Sequence, residues 1–409
     1  DIGSCLYHEV NHLLLLSLKI TKSFHMKWIK RFFLFIVLLI AVIAVYAVMS
    51  GKTFLFAGAR HIVTMRSLSD IDDHRFFNNR TVATDKPQPW PAGADYNRRQ
   101  LPDSTQQLLD ALQTVAVVKI KGDSLRFEQY RDGYSDSSLS GSFSVAKSIT
   151  SLLIGVAIKE GKIQSVDQPV GDFLPAFKEG EKSKVTIRHL LTMSSGTDWY
   201  ESYKDPLSVT AELYYGDDVE KTALSVKMER APGTLHYYKS GDTQLLGLIL
   251  EKATGMPMSD YAAAKLWKPL GAVHPALWSV DKPDGKIKAY CCFNTNARDF
   301  ARIGQLMLQG GKWNGVSVID STYFQASIVP CRIPDKQGDV CDYYGYQWWI
   351  DPEHPEIFYA RGILGQYIII IPSRKTVIVR LGRKTSPVRV RTVPTEVRHL
   401  INWGLSDSE

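Results

Sequence analysis

Strand-like runs lie near both ends of this chain, and their placement constrains the fold more than any other feature. "TVAVVKI" (Thr114 to Ile120) is a β-branched run, "KGD" is a turn, and "SLRFEQY" (Ser124 to Tyr130) alternates, so the pair predicts a hairpin. After Tyr343 come "YGYQWWI", "IFYARG", "GQYIIIIP" and "KTVIVRLG", short β-type runs divided by Gly, Pro and charged turns, and then "TVPTEVRHLINWGL", which reads as a closing amphipathic helix. Between the two sets the pattern is mainly helical, clearest in "TIRHLLTMSSG", "DTQLLGLILEKATGMPMSDYAAAKLW" and "ARDFARIGQLMLQGG". The expectation is an α+β fold: an antiparallel β-sheet assembled from both chain ends, flanked by helices, with a helical insert subdomain over about residues 185–290. Catalytic groups then belong between sheet and insert.

The front of the chain is different. "MKWIKRFFLFIVLLIAVIAVYAVMSG" starts at Met26, carries Lys27, Lys30 and Arg31, and runs without a charge from Phe32 to Val48, close to the shortest helix that spans a bilayer. Residues 26–50 therefore read as a signal peptide or membrane anchor with its basic flank inside, which predicts a periplasmic or otherwise extracytoplasmic protein, held at the inner membrane by residues 32–48 if uncleaved. Residues 1–25 are read as upstream leader, and "HEVNH" (His8 to His12) within them as chance. Residues 51–101, punctuated by "KPQPWPAG", read as a tether and extended arm, and 102–409 as the main domain. A net charge of +7 is mild. The basic cluster of Arg374, Lys375, Arg380, Arg383, Lys384, Arg389 and Arg391 lacks interleaved aromatics, so it is read as solvated strand edge and loop, with no nucleic-acid partner.

In an oxidising compartment the cysteines matter. Cys331 and Cys341 flank a polar loop and are spaced to close a short disulfide. Cys291 and Cys292 are adjacent, and they are read as two buried thiols. No Cys-x-x-Cys or closely spaced His-Cys set suggests a metal site, and neither metal nor organic cofactor is expected.

Three motifs carry chemistry. In "GSFSVAKSITSLLIGVAIKEG", Ser144 and Lys147 share one helix face, while Val145, Ile149, Leu152, Leu153, Val156 and Ala157 form the apolar face and Gly161 a C-terminal stop. Ser144 is either a cap on a buried helix or a nucleophile whose proton acceptor lies one turn below. In "APGTLHYYKSGDTQLLGLILEKATG", Tyr238 and Ser240 form a Tyr-x-Ser triplet before a helix, and Tyr238 is a general base if a cation such as Lys147 lowers its pKa; Tyr237 competes for the inward position. In "ARGILGQYIIIIP", Gly362 and Gly365 free a strand edge of side chains, so that the N–H near Ile363 completes an oxyanion hole with that of Ser144.

The order Ser-x-x-Lys, "HLLTMSSG", Pro-Gly…Tyr-x-Ser…Leu-Leu-Gly, "ARDFARIGQLML" and a late glycine-rich strand resembles the penicillin-recognising serine hydrolases, class C β-lactamase branch, from about Pro102 onward. The resemblance implies a β-lactamase/transpeptidase-like fold, Ser144 as acylated nucleophile, Lys147 as its partner, Tyr238 as general base and acid, and the Ser144 and Ile363 amides as oxyanion hole. Tyr-Lys-Ser stands where class C enzymes have Tyr-x-Asn, and Ala360-Arg361-Gly362 where they have Lys-Thr-Gly. Both changes look like the branch that includes 6-aminohexanoate-dimer hydrolase and related esterases. Ser240, Arg361 and Gly362, with Trp199, Tyr203 and Asp205 from "SSGTDWYESYKDPLS", are the expected substrate contacts, whereas Glu201 and Asp205 do not form a glycosidase carboxylate pair. The expected activity is hydrolysis of a small-molecule ester or amide. The alternatives are a β-lactamase or D-alanyl-D-alanine peptidase, and a catalytically silent domain that binds a cell-wall fragment.

Overall fold

The computed structural model describes residues 2–406. The chain divides into two compact units, one up to Ala57 and one from Gly58 onward. The first is dominated by a single helix, Ile2–Met49, which runs through the leader and the apolar segment. Its Trp28–Met49 portion, mean hydropathy 3.1, is long and apolar enough to cross a membrane, a property that signal sequences share.

The second unit is built on a six-stranded antiparallel sheet whose spatial order is Ser124–Tyr130, Thr114–Lys121, Thr376–Gly382, Gln366–Ile371, Phe358–Gly362, Trp349–Ile350. Both chain ends meet at its centre, where Val118 pairs with Val379. The near-continuous apolar strands follow from burial on both faces. Ile368 and Ile370 enter the main core with Val377, Val379 and the helix Val145–Lys159. Ile369 and Ile371 point the other way, onto Val397, Leu400 and Ile401 of the closing helix Thr395–Leu405. Helix Ala297–Leu308 packs closely against the sheet at Gly304, where an added Cβ would stand 2.4 Å from Val377 Cγ1.

The predicted hairpin and the helix that follows Ser144 form as expected, the latter ending at Lys159 ahead of Gly161 in the left-handed region (φ 68°). Three readings need correction. The stretch 51–101 is more than a tether and extended arm: it forms a helix over Phe54–Met65 and a strand, Asn78–Val82, that pairs with Ala276–Val280 in a second sheet of four strands. That pairing joins segments far apart in sequence, where local pattern carries no signal. The C-terminal basic cluster is not all solvated. Arg380 is fully buried and donates to Thr114 Oγ1 at 2.9 Å and to the carbonyls of Gly365 (2.8 Å) and Leu112 (3.0 Å), while Arg383 pairs with Asp70 (2.7 Å) and Asp72 (2.9 Å). The cysteine readings are reversed: Cys291 and Cys292 form a disulfide, and Cys331 and Cys341 are free thiols. Cys292 lies in the left-handed region (φ 67°), which turns the two adjacent side chains toward one side of the chain.

Candidate active site

Ser144 begins the buried helix Val145–Lys159, and the turn that delivers it is held from both sides. Ser142 N–H donates to Phe293 O (2.8 Å) and Ser142 Oγ to Phe143 O (3.0 Å), fixing Phe143 in the left-handed region (φ 43°), a costly conformation for a residue with a Cβ. Ser144 makes no capping bond with its side chain. Its hydroxyl instead receives Lys147 Nζ at 3.0 Å, one helical turn away.

Lys147 is 1 % exposed and donates also to Ser240 Oγ (3.2 Å) and to Tyr290 O (3.0 Å). Burial disfavours its charged form and pushes its pKa down to about 8, against a smaller opposing pull from Glu201. The same ammonium lies 5.0 Å from the ring centre of Tyr238. Burial pushes the Tyr238 phenol well above its ordinary pKa, offset in part by a hydrogen bond with Ser144. The expectation that Lys147 lowers the Tyr238 pKa is therefore not met: burial favours the protonated phenol at Tyr238 and the neutral amine at Lys147. Tyr237 does not compete, because its hydroxyl accepts from Glu201 N–H at 3.3 Å on the other side of the segment.

Gly362 closes the site from the sheet. A Cβ there would stand 2.3 Å from Ser142 O and 3.2 Å from Phe143 Cβ, so only glycine lets the strand Phe358–Gly362 lie against the turn that precedes Ser144. Ile363 follows at the strand end, and among the described residues neither its N–H nor that of Ser144 has an acceptor. Two backbone N–H groups without acceptors beside a serine hydroxyl are the kind of donors a developing oxyanion requires.

The substrate contacts expected from sequence separate into two groups. Ser240, Trp199 and Tyr203 converge on one residue that the sequence reading weighed only as half of a carboxylate pair: Glu201. Its carboxylate accepts from Ser240 N–H (2.7 Å) and Oγ (2.7 Å), Trp199 Nε1 (2.8 Å) and the Tyr203 hydroxyl (2.6 Å). Tyr203 is half-exposed at its ring while its hydroxyl end meets Glu201. Trp199 covers the first turn of helix Ser240–Thr254, where a Cβ on Gly241 would stand 2.4 Å from its ring. Asp205, by contrast, is exposed and accepts from Leu207 N–H at 2.9 Å within its own turn, so it belongs to loop geometry and not to this network. Arg361 stacks over Trp349, its guanidinium carbon 4.7 Å from the ring centre, with Tyr238 on the same tryptophan at 5.7 Å.

Comparison with known proteins places the chain in a family. The family model described as Beta-lactamase matches residues 103–402. The chain belongs to that family. Among curated proteins, the Beta-lactamase-family chain is 27% identical over 304 residues to 6-aminohexanoate-dimer hydrolase of Paenarthrobacter ureafaciens, covering 70% of this chain and 77% of that one. Among solved structures it resembles a Bacillus anthracis protein provisionally named 6-aminohexanoate-dimer hydrolase, with a TM-score of 0.69 at 24% identity over 82% of this chain and 92% of that one. It also resembles a family VIII carboxylesterase in fold, with a TM-score of 0.60 at 15% identity over 78% of this chain and 98% of that one. Family membership with hydrolase relatives makes this Beta-lactamase-fold chain a serine hydrolase.

Proposed function

We propose that this chain is an exported hydrolase that cleaves a small ester or amide through an acyl-enzyme on Ser144. The observation that carries the reading is the buried Lys147 ammonium 3.0 Å from Ser144 Oγ, with its pKa pushed down to about 8. Neutral Lys147 takes the hydroxyl proton as Ser144 Oγ bonds to the substrate carbonyl carbon. The oxyanion lies between the N–H groups of Ser144 and Ile363. Collapse breaks the bond to the leaving alcohol or amine, which takes its proton from the Tyr238 phenol, and Lys147 returns the first proton to Tyr238. A water molecule then attacks the acyl carbon, and its proton follows the same route in reverse to Ser144.

The apolar segment behind Lys27, Lys30 and Arg31 supports an extracytoplasmic site of action. The Tyr-Lys-Ser and Ala-Arg-Gly departures favour esters or linear amides over β-lactams, and the 6-aminohexanoate-dimer hydrolase relative points the same way. The test is intact-mass analysis after exposure to a panel of esters, a linear amide and a cephalosporin. Transient acylation at Ser144 by ester or amide is expected. Acylation and rapid turnover of the cephalosporin alone would replace the reading with a β-lactamase, and no adduct from any of the panel would leave a silent binding domain.

A further inference from the structure

We propose that His236, Cys331 and Cys341 form a binding site for a thiophilic d10 metal ion, with zinc(II) as the expected occupant, independent of the hydrolytic reading above. One ring nitrogen and two sulfurs from these residues all lie within 4.8 Å of one another, and His236 and Cys341 are buried while Cys331 is half-buried. Tetrahedral zinc with Zn–S bonds of about 2.3 Å and a Zn–N bond of about 2.0 Å holds its donors roughly 3.5–3.8 Å apart, so they need to close by little more than about 1 Å at most.

Backbone hydrogen bonds from three directions hold the donors in place. Cys331 N–H donates to Tyr344 O (2.8 Å), Cys341 N–H to Ile333 O (3.0 Å) and His236 N–H to Pro334 O (2.8 Å). The first two pin the arms of a hairpin-like loop, and the third ties the histidine's segment onto it. The imidazole is oriented as well. His236 Nδ1 lies 2.9 Å from Thr192 O, and a carbonyl only accepts, so Nδ1 carries the proton and Nε2 offers its lone pair. A backbone carbonyl on the far ring nitrogen is the usual support of a ligating histidine. Two thiolates and a neutral imidazole balance a divalent charge and select a soft ion over magnesium or calcium.

Cys331 lines an open cleft of about 720 Å³, which leaves room for a solvent molecule as fourth ligand. His236 is two residues before Tyr238, and Tyr344, whose carbonyl holds Cys331, packs on both rings at 5.1 and 6.0 Å. The ion would clip the segment bearing the proton donor to the loop that buttresses it. In an oxidising compartment the competing fate of the two thiols is a disulfide, which an ion already bound would prevent. The sequence hid the site because the histidine comes from a distant segment.

The experiment uses the full chain in detergent, reduced, exchanged into anaerobic buffer and titrated with cobalt(II), then with zinc(II). Expected is a thiolate-to-cobalt charge-transfer band with tetrahedral d–d bands that saturates at about one equivalent and is displaced by zinc. It should disappear in Cys331→Ser and His236→Gln and persist in the double variant Cys291→Ala/Cys292→Ala, which removes the other adjacent pair of sulfurs. Absence of the band in the reduced wild-type chain would overturn the proposal without any variant having to fold. So would a band that survives Cys331→Ser, one lost in the Cys291→Ala/Cys292→Ala chain, or formation of a Cys331–Cys341 disulfide in air at equimolar zinc.

Discussion

Gly362 lies against the carbonyl of Ser142, so close that a Cβ at 362 would stand 2.3 Å from that oxygen. The contact joins the strand Phe358–Gly362, which leads into Ile363, to the turn that precedes Ser144. Gly362→Ala therefore forces strand and turn apart. Loss of one oxyanion donor costs about 100- to 1,000-fold in kcat, and a fall of that size in ester hydrolysis is expected with the circular dichroism of the folded chain retained. A loss under tenfold would mean that Ile363 is not a donor.

Ser144→Ala should abolish hydrolysis of p-nitrophenyl esters and leave the fold intact, because the serine side chain makes no capping bond for its helix to lose. Full retention of activity would end the acyl-enzyme mechanism. Tyr238→Phe removes the proton donor and should lower kcat/KM by at least about 100-fold, while burst labelling of Ser144 by an activated ester, whose leaving group needs no proton, should persist.

Glu201 raises the pKa of Lys147 by its charge and holds Ser240, Trp199 and Tyr203 in one cluster. Glu201→Gln keeps the shape and removes the charge. The acidic limb of the kcat/KM profile, which in the wild type should rise through about pH 8 as Lys147 loses its proton, should move to lower pH. A limb that stays in place would separate Glu201 from the lysine electrostatically.

Lys288 is fully buried, donates to Tyr214 O at 2.6 Å, and has its pKa pushed down by burial to about 7 from 10.5. Between those values the unfolded chain keeps a proton that the folded chain has released, so raising the pH favours the fold. Lys147 acts in the same sense from about 8 upward. Above the ordinary tyrosine range the trend reverses, since burial raises Tyr214 and Tyr238 and their protonated forms belong to the fold. Urea midpoints should rise from pH 7 to 9 and then turn over, and Lys288→Met should flatten the rise. A midpoint that falls from pH 7 to 9 would contradict the assignment.

Much of the arrangement was legible in local pattern. The hairpin of Thr114 and Tyr130, the helix after Ser144 and its stop at Gly161 follow from alternation, three-and-four spacing and a glycine that accepts positive φ, all short-range properties of the chain. Ser144 and Lys147 belong to the same class, because one helical turn fixes their contact whatever surrounds it. Nothing of that kind identifies Glu201, whose four donors come from its own loop and from the start of a later helix. Arg380 looked like a surface charge until the sheet closed over it and supplied the carbonyls that satisfy its guanidinium. The cysteines show the division most plainly: spacing favoured a bridge between 331 and 341 and disfavoured one between 291 and 292, and backbone conformation chose the reverse. By itself the sequence determined the hairpin, the helix after Ser144 and the one-turn contact of Ser144 with Lys147, because each depends on neighbours within a few residues. Only the tertiary structure decided the burial that sets the pKa of Lys147, the carboxylate behind it and the state of the thiols, because each depends on groups that the chain brings together from a distance.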